Sequence, residues 1–152
     1  METGTPEFEI KRLGTPDLLI AQQLFLLFNE VFDIKNAVVA QSLELIKLLD
    51  SPGFICFAAI YNNEVTGGLT AYQLPMYNSK CAEMFIYDIA VKPAFQRMGA
   101  GKKLLLAIKD YCEQNGIKQM FADASEADKH ALDFYRSMHG REEKVIQFTF
   151  DF

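Results

Sequence analysis

The sequence predicts a mixed α/β (α+β) domain of three layers, a mixed central sheet flanked by helices. Three features point there. Apolar residues recur at every second position in some runs and at helical spacing in others. The first sheet-forming region reads as a hairpin, which requires antiparallel neighbours, and the second half alternates strand, helix, strand, helix, strand. Half of the 152 residues are apolar. That suffices for one core and leaves no room for a second, so positions 1–152 read as a single domain.

Residues 8–13 alternate apolar and polar in their first part and predict a short opening strand. Thr15, Pro16 and Asp17 supply an N-cap, a first-turn proline and a first-turn acid. Leu18, Leu19, Leu24, Phe25, Leu27, Phe28, Val31 and Phe32 then predict a helix that faces the core over nearly all its surface. A second helical run with Val39, Leu43, Ile46, Leu48 and Leu49 stops at Asp50, Ser51, Pro52 and Gly53, all turn-favouring. Residues 54–61 predict a strand, Asn62 and Asn63 a hairpin turn, and residues 65–74 its partner, weakened or bulged by Gly67 and Gly68. A turn at Tyr77, Asn78, Ser79 and Lys80 leads to residues 82–91, the most apolar run and hence the predicted central strand. After Pro93, a glycine-containing loop opens a helix with Leu104, Leu105, Ile108 and Tyr111 on one face, stopped by Asn115 and Gly116. Residues 117–124 predict a strand, 127–138 a helix, and 143–152 a last strand with Ile146, Phe148, Phe150 and Phe152 in strict alternation.

Fifteen Lys and Arg against twenty Asp and Glu give a formal charge of −5. This argues against nucleic acid or an anionic membrane as partner and favours a cationic one. Cys56, Cys81 and Cys112 are odd in number and far apart, so neither a disulfide framework nor a zinc site is expected. The first residues carry acids where a signal peptide carries bases, and no apolar run reaches membrane-spanning length. A soluble, cytoplasmic protein is the expectation.

Residues 89–102, IAVKPAFQRMGAGK, carry a strand through a short loop into a helix. The first amides of a helix lack intrahelical acceptors and sit at the positive end of its dipole, so such a loop can bind an anion. Gly99 and Gly101 omit side chains that would block a pyrophosphate, and Arg97 and Lys102 add positive charge. A P-loop is excluded because Lys103 and Leu104 follow Lys102, and a Rossmann loop because Leu104 stands where the third glycine belongs. The plainer reading of the loop is two glycines easing a tight turn. Asp88, by strand alternation, shares a face with Met84, Ile86 and Ala90, and a carboxylate there needs a cation or hydrogen-bond donors. A substrate ammonium would serve, as would a structural amide or arginine.

Gln96-Arg97-Met98-Gly99-Ala100-Gly101 resembles the Q/R-x-x-G-x-G/A acetyl-CoA signature of the GNAT superfamily of N-acetyltransferases, and Tyr87 to Val91 is similar to that family's central strand. Ala131-Leu132-Asp133-Phe134-Tyr135 resembles its A-x-x-F/L-Y motif. Element order agrees from about Phe8 onward, the motifs from about Met84 to Phe148. Within the superfamily, the segments at Phe85 to Val91, Ala131 to Tyr135 and Arg141 to Val145 most resemble the aminoglycoside 3-N-acetyltransferase branch.

The resemblance implies a GNAT fold, acetyl-CoA as cosubstrate, no metal, and acetylation of the 3-amino group of 2-deoxystreptamine, hence antibiotic resistance. It implies that strands 84–91 and 119–124 splay around the pantetheine, held by Ile89, Ala90 and Val91. Gln96, Arg97, Met98, Gly99, Ala100, Gly101 and Lys102 would take the pyrophosphate, with Phe134 beside the cofactor. Tyr135 would be the acid for the leaving thiolate and Asp88 the base, Glu83 being the second choice. Asp88, Asp123, Glu126, Glu142 and Glu143 would hold the cationic acceptor. His139 stands where relatives carry a glycine. Acetylation of another amine (a polyamine, a small metabolite or a protein N-terminus) is the alternative, and a CoA-binding module without turnover is a third reading. The Phe-rich terminal strand suggests a homodimer, with an edge covered within one chain as the alternative.

Overall fold

The computed structural model describes residues 4–38, 40–78 and 80–152. In chain order it contains β1 (Glu9–Arg12), α1 (Leu18–Val31), α2 (Ser42–Asp50), β2 (Phe54–Tyr61), β3 (Glu64–Pro75), β4 (Ala82–Val91), α3 (Ala100–Gln114), β5 (Met120–Ala122) and α4 (Lys129–Ser137). Short 3-10 turns at Thr15–Asp17 and Pro93–Phe95 lead into α1 and the α3 loop. The first is fixed by Asp17, which accepts from the Gly14 amide at 3.0 Å and pairs with Lys11 at 2.7 Å.

The five strands lie in the order β1-β2-β3-β4-β5, antiparallel except for the parallel β4–β5 pair. Strand β2 shows why the sheet is a middle layer, since successive side chains point to opposite faces and both faces are covered. Phe54, Cys56 and Ala58 pack with Leu24, Leu27 and Phe28 of α1 and Leu49 of α2. Ile55, Phe57 and Ala59 pack with Leu104, Leu105 and Ile108 of α3. The expected three-layer mixed architecture is therefore present.

Several expectations change. The predicted central strand, β4, is fourth of five, and the strands with buried middles are β2 and β3. Being the most apolar run reflected one packed face and an extended cleft, not a central position. Helix α1 does not face the core all round, because Leu19 and Leu26 are exposed. The bulge near Gly67 and Gly68 sits at Thr66, the extra residue between the Ala59–Gly67 and Ile60–Val65 pairs. The Thr66 hydroxyl donates to the Ala59 carbonyl at 3.1 Å. Strand β5 is only three residues long, and residues 143–152 form no strand among the described residues. Val39, expected in α2, and Ser79, expected in the β3–β4 turn, lie outside the described residues, as do residues 1–3. Among the described residues no helix is long and apolar enough to cross a membrane.

Gly68 serves close approach. A Cβ there would lie 2.3 Å from Leu24 Cδ1 and 2.7 Å from the Phe57 carbonyl oxygen, so α1 rests directly on the β3 backbone. Gly68→Ala is expected to lower unfolding free energy by about 1–3 kcal/mol through overpacking, measured by urea titration. At Gly53 a Cβ meets only the Gln73 carbonyl oxygen at 3.6 Å. Gly53→Ala should therefore stay within about 0.5 kcal/mol of the parent.

Candidate functional site

The site begins where sheet pairing stops. Strand β4 pairs with β5 only from Met84–Met120 to Ile86–Ala122, yet continues to Val91. Among the described residues, the edge of residues 87–91 on that side has no ladder partner. The gap opens into a cleft of about 1120 Å³ between β4, α3 and α4. Such an edge offers backbone donors and acceptors to a ligand that can mimic a strand.

A second irregularity aims a carboxylate into the cleft. On β3, Thr70 opposes Asp88 and Ala71 opposes Ile86, leaving Tyr87 as an extra, bulged residue. The bulge reverses the alternation: Met84 and Ile86 face the α3 cluster, whereas Ala90 packs in the α1 cluster. Asp88 thus shares a face with Ala90 but not with Met84 and Ile86, correcting simple alternation. Its Oδ2 accepts a 2.5 Å hydrogen bond from the buried Thr70 hydroxyl. Burial raises the Asp88 pKa from its ordinary value, and the Thr70 bond partly opposes that.

The loop between β4 and α3 leads the chain into the first turn of α3. Gln96 Nε2 donates to the Val91 carbonyl at 3.0 Å, tying the loop to the strand end. Gly99 caps α3 at φ +93°, a conformation open to glycine, and nothing lies within 4 Å of where its Cβ would be. The first α3 turn closes with Lys103 N on Gly99 O at 3.0 Å. The amides of Ala100, Gly101 and Lys102 precede it without intrahelical acceptors. Arg97 and Lys102 line the cleft beside them. These features fit a pyrophosphate. Gly101 has a second reason to be small, because a Cβ there would meet the Phe134 ring at 3.2 Å.

Helix α4 supplies the opposite wall. Asp128 caps it by accepting from the Ala131 amide at 3.0 Å. Tyr135 lines the cleft, its pKa pushed up to about 12 by burial and then by the charges of Asp128 and Asp123. The phenol is therefore protonated at neutral pH and able to donate. The helix ends with His139 N on Arg136 O at 3.0 Å and Gly140 N on Tyr135 O at 2.9 Å, a Schellman cap. His139 sits at φ +63°. The histidine thus takes up the left-handed conformation that a glycine would supply.

The cleft gathers Asp88, Tyr135, Phe134, Asp123, Gln96, Arg97, Gly99, Gly101, Lys102 and the 89–91 strand end. Met98 and Ala100 are outside its lining; Ala100 is buried under the loop. Glu83 is also outside, on the paired part of β4 opposite Leu74. The acids Glu126, Glu142 and Glu143 do not line the cleft either. Glu142 is held by Arg136 at 2.7 Å and 3.1 Å, and Glu126 by Lys144 at 3.2 Å. Sequence reasoning missed Thr70, whose partner lies 18 positions away across the sheet, and His130 and Asp133 on the α4 wall. Among the described residues, no group of three or more His, Cys, Asp or Glu side chains is arranged to hold a metal ion.

The acetyltransferase (GNAT) family profile matches residues 21–140. An aminoglycoside acetyltransferase from an uncultured soil metagenomic sample, solved with trehalose, is 40% identical over 95% of this chain and 96% of that chain, with a TM-score of 0.93. A structure of the same acetyltransferase with sisomicin superimposes equally, at 39% identity, the same coverage and TM-score 0.93. Another soil-metagenome aminoglycoside acetyltransferase is 27% identical, covering 96% of this chain and 99% of that one, at TM-score 0.91. No curated protein matches the chain.

Two outcomes follow from this geometry. Replacing His139 by Gly relieves the left-handed strain at some entropic cost, so unfolding free energy should rise by roughly 0.5–1 kcal/mol, read by thermal denaturation. Removing the Thr70 hydroxyl in Thr70→Val withdraws a donor to the ionised form of Asp88, so the Asp88 pKa should rise further. Carboxyl NMR titration measures it, and an unchanged or lower value would refute the role given to Thr70.

Proposed function

The chain belongs to the acetyltransferase (GNAT) family, and on that footing we propose that it acetylates a primary amine of an aminoglycoside. The acceptor proposed is the 3-amino group of the 2-deoxystreptamine ring. Members of the family use acetyl-CoA, which when bound supplies an activated acetyl thioester. The observation that carries the reading is Asp88, a desolvated carboxylate beside an unpaired strand edge, in one cleft with a protonated Tyr135.

In this reading, Ile89, Ala90 and Val91 present backbone groups to the pantetheine amides, while Gln96, Arg97, Gly99, Gly101 and Lys102 embrace the pyrophosphate. Met98 and Ala100 shape the loop, and Phe134 packs along the cofactor side of α4. The ammonium of the acceptor must lose a proton before its nitrogen can attack. Asp88 accepts that proton, directly or through water, and its raised pKa makes it a stronger base than an ordinary carboxylate. The Tyr135 hydroxyl holds a proton for the sulfur as the C–S bond breaks and the C–N bond forms. Asp123, with Asp128 and Asp133 on the same walls, replaces part of the hydration of a polycationic acceptor. Phe32, at the α1 end of the cleft, offers an apolar surface to a sugar ring. Likeness to aminoglycoside acetyltransferases, one of them solved with sisomicin, supports this acceptor class. Expressed in a susceptible bacterium, such an enzyme would confer aminoglycoside resistance.

Thiol release from acetyl-CoA with an acceptor panel tests the proposal. Turnover with gentamicin-like and kanamycin-like compounds is expected; turnover with spermidine but neither drug class would overturn it. NMR of the product locates the acetyl group, and a site other than the 3-amino nitrogen would refute the position. Tyr135→Phe and Asp88→Asn should each lower kcat on the order of 10²–10⁴-fold with little change in acetyl-CoA affinity. For Asp88 as base, activity is lost as pH falls through its raised pKa. Asp88→Asn should remove that acid limb, and a retained limb would exclude it as the base.

A further inference from the structure

Helices α1 and α2 cover only part of their side of the sheet. They pack over Phe54, Cys56 and Ala58 of β2 and reach Ala90 near the end of β4. Met84, Ile86, Met120 and Ala122 belong to the cluster on the opposite, α3 side. By strand alternation, Glu83 and Phe85 of β4 and Phe121 of β5 therefore point to the α1 side, and none of the three packs in the α1 cluster. Aromatic rings pave this uncovered stretch. Phe54 meets Tyr72 at 5.4 Å, Tyr72 meets Tyr87 at 5.7 Å, Tyr87 meets Phe85 at 5.6 Å, and Phe85 stacks on Phe121 at 4.9 Å. The row begins buried at Phe54 and emerges: Tyr72 and Phe85 are half-buried, Tyr87 is 64% exposed and Phe121 37%.

An acid stands at each end of the paving. At one end Asp88 follows Tyr87, and its charge, after burial, raises the Tyr72 pKa from its ordinary value. At the other end is Glu83, opposite Leu74 on β3. Glu83 is half-buried and, among the described residues, has no ion-pair partner. Tyr87 and Asp88 line the cleft, whereas Tyr72, Phe85, Phe121 and Glu83 lie beyond its lining. The paved face thus continues the cleft outward along β4. At the rise of a β-strand, Glu83 stands about 15 Å from Asp88, a span longer than any single sugar ring.

Given the aminoglycoside acceptor of the preceding subsection, on which this step rests, we propose that the paved face is a distal acceptor subsite. The ring that reacts lies at Asp88, a further ring lies across Tyr87, Phe85 and Phe121, and a remote ammonium reaches Glu83. A sugar ring is apolar on its C–H faces and polar at its rim, so it can bury a face against aromatic rings while its rim groups stay in water. Ammonium groups are attracted by the ring faces and by the carboxylates at both ends. An apolar occupant would bury Glu83 further without supplying a cation, and an anionic one would be repelled at both ends. A small monoamine would fill only the Asp88 end. The subsite therefore selects polycationic acceptors of several rings over short amines.

Calorimetric titration of the CoA-loaded protein tests this, comparing a three-ring, kanamycin-like acceptor with 2-deoxystreptamine alone. The unaltered chain should bind the three-ring ligand more tightly. Phe121→Ala and Glu83→Gln should each cut that advantage roughly 3- to 10-fold; the second keeps the shape of its side chain, so its effect is not one of packing. In steady-state kinetics the loss should appear in KM for the three-ring acceptor and not in kcat. An advantage left intact in either variant, or an equal loss on both ligands, would overturn the subsite, as would an unaltered chain that binds the two ligands alike. Failure of the acceptor class is told apart by the unaltered chain, which would then bind neither ligand and would remove the subsite with it.

Discussion

Strand β4 can be held on both sides only as far as Ile86, and most of what the protein does follows from that limit. Up to Ile86 it is sandwiched between β3 and β5; from Tyr87 onward it keeps β3 and loses β5. A strand left half-paired in an interior carries backbone polar groups that need partners. In this molecule they border a cleft, so the cost of leaving them open becomes a capacity to bind. The bulge at Tyr87 coincides with the same point, so the loss of pairing and the turning of Asp88 toward the α1 face occur together.

Other parts of the fold keep that opening in shape. Gly68 lets Leu24 sit against β3, which sets α1 close enough for Val31 and Phe32 to reach the cleft. Gly101 lets the Phe134 ring lie against the first turn of α3, which fixes the distance between the amide-bearing loop and the wall that carries Tyr135. The Schellman cap ends α4 within one turn of Tyr135, with a histidine bearing the strain. Charge is divided along the same cleft, with Arg97 and Lys102 at the loop and aspartates on β4, the β5 end and α4. The net −5 is only partly focused there, because Glu126 and Glu142 are engaged by Lys144 and Arg136.

Much of this was legible in the sequence, for definable reasons. Apolar periodicity located the helices and strands because burying apolar side chains drives folding, and the buried positions repeat with the geometry of each element. Asp88 stood out because an acid inside an apolar strand requires compensation, and the loop stood out because glycines and basic residues preceded a helix. The direction of Asp88 was not legible, since a single extra residue in one strand changes no residue type and shows only when the partner strand's register is known. Thr70 was hidden for the same reason. The alternation of residues 143–152 reads as a strand, yet they form none among the described residues, because alternation records side-chain pattern and says nothing of whether a ladder partner stands beside it. Glu126, Glu142 and Glu143 looked like an acceptor wall because acids near a helix look alike until the fold places them: Glu126 and Glu142 pair with Lys144 and Arg136, and Glu143 lies outside the cleft lining.

The unpaired edge of β4 and the first turn of α3 act, in this view, as one binding surface, and every proposed role in the cleft depends on it. Amide hydrogen exchange of the full chain with and without CoA tests it directly. Exchange should slow at residues 87–91 and at Ala100, Gly101 and Lys102, with β2 unaffected. Saturating CoA that leaves those amides exchanging as before, or protects a different segment in their place, would contradict it.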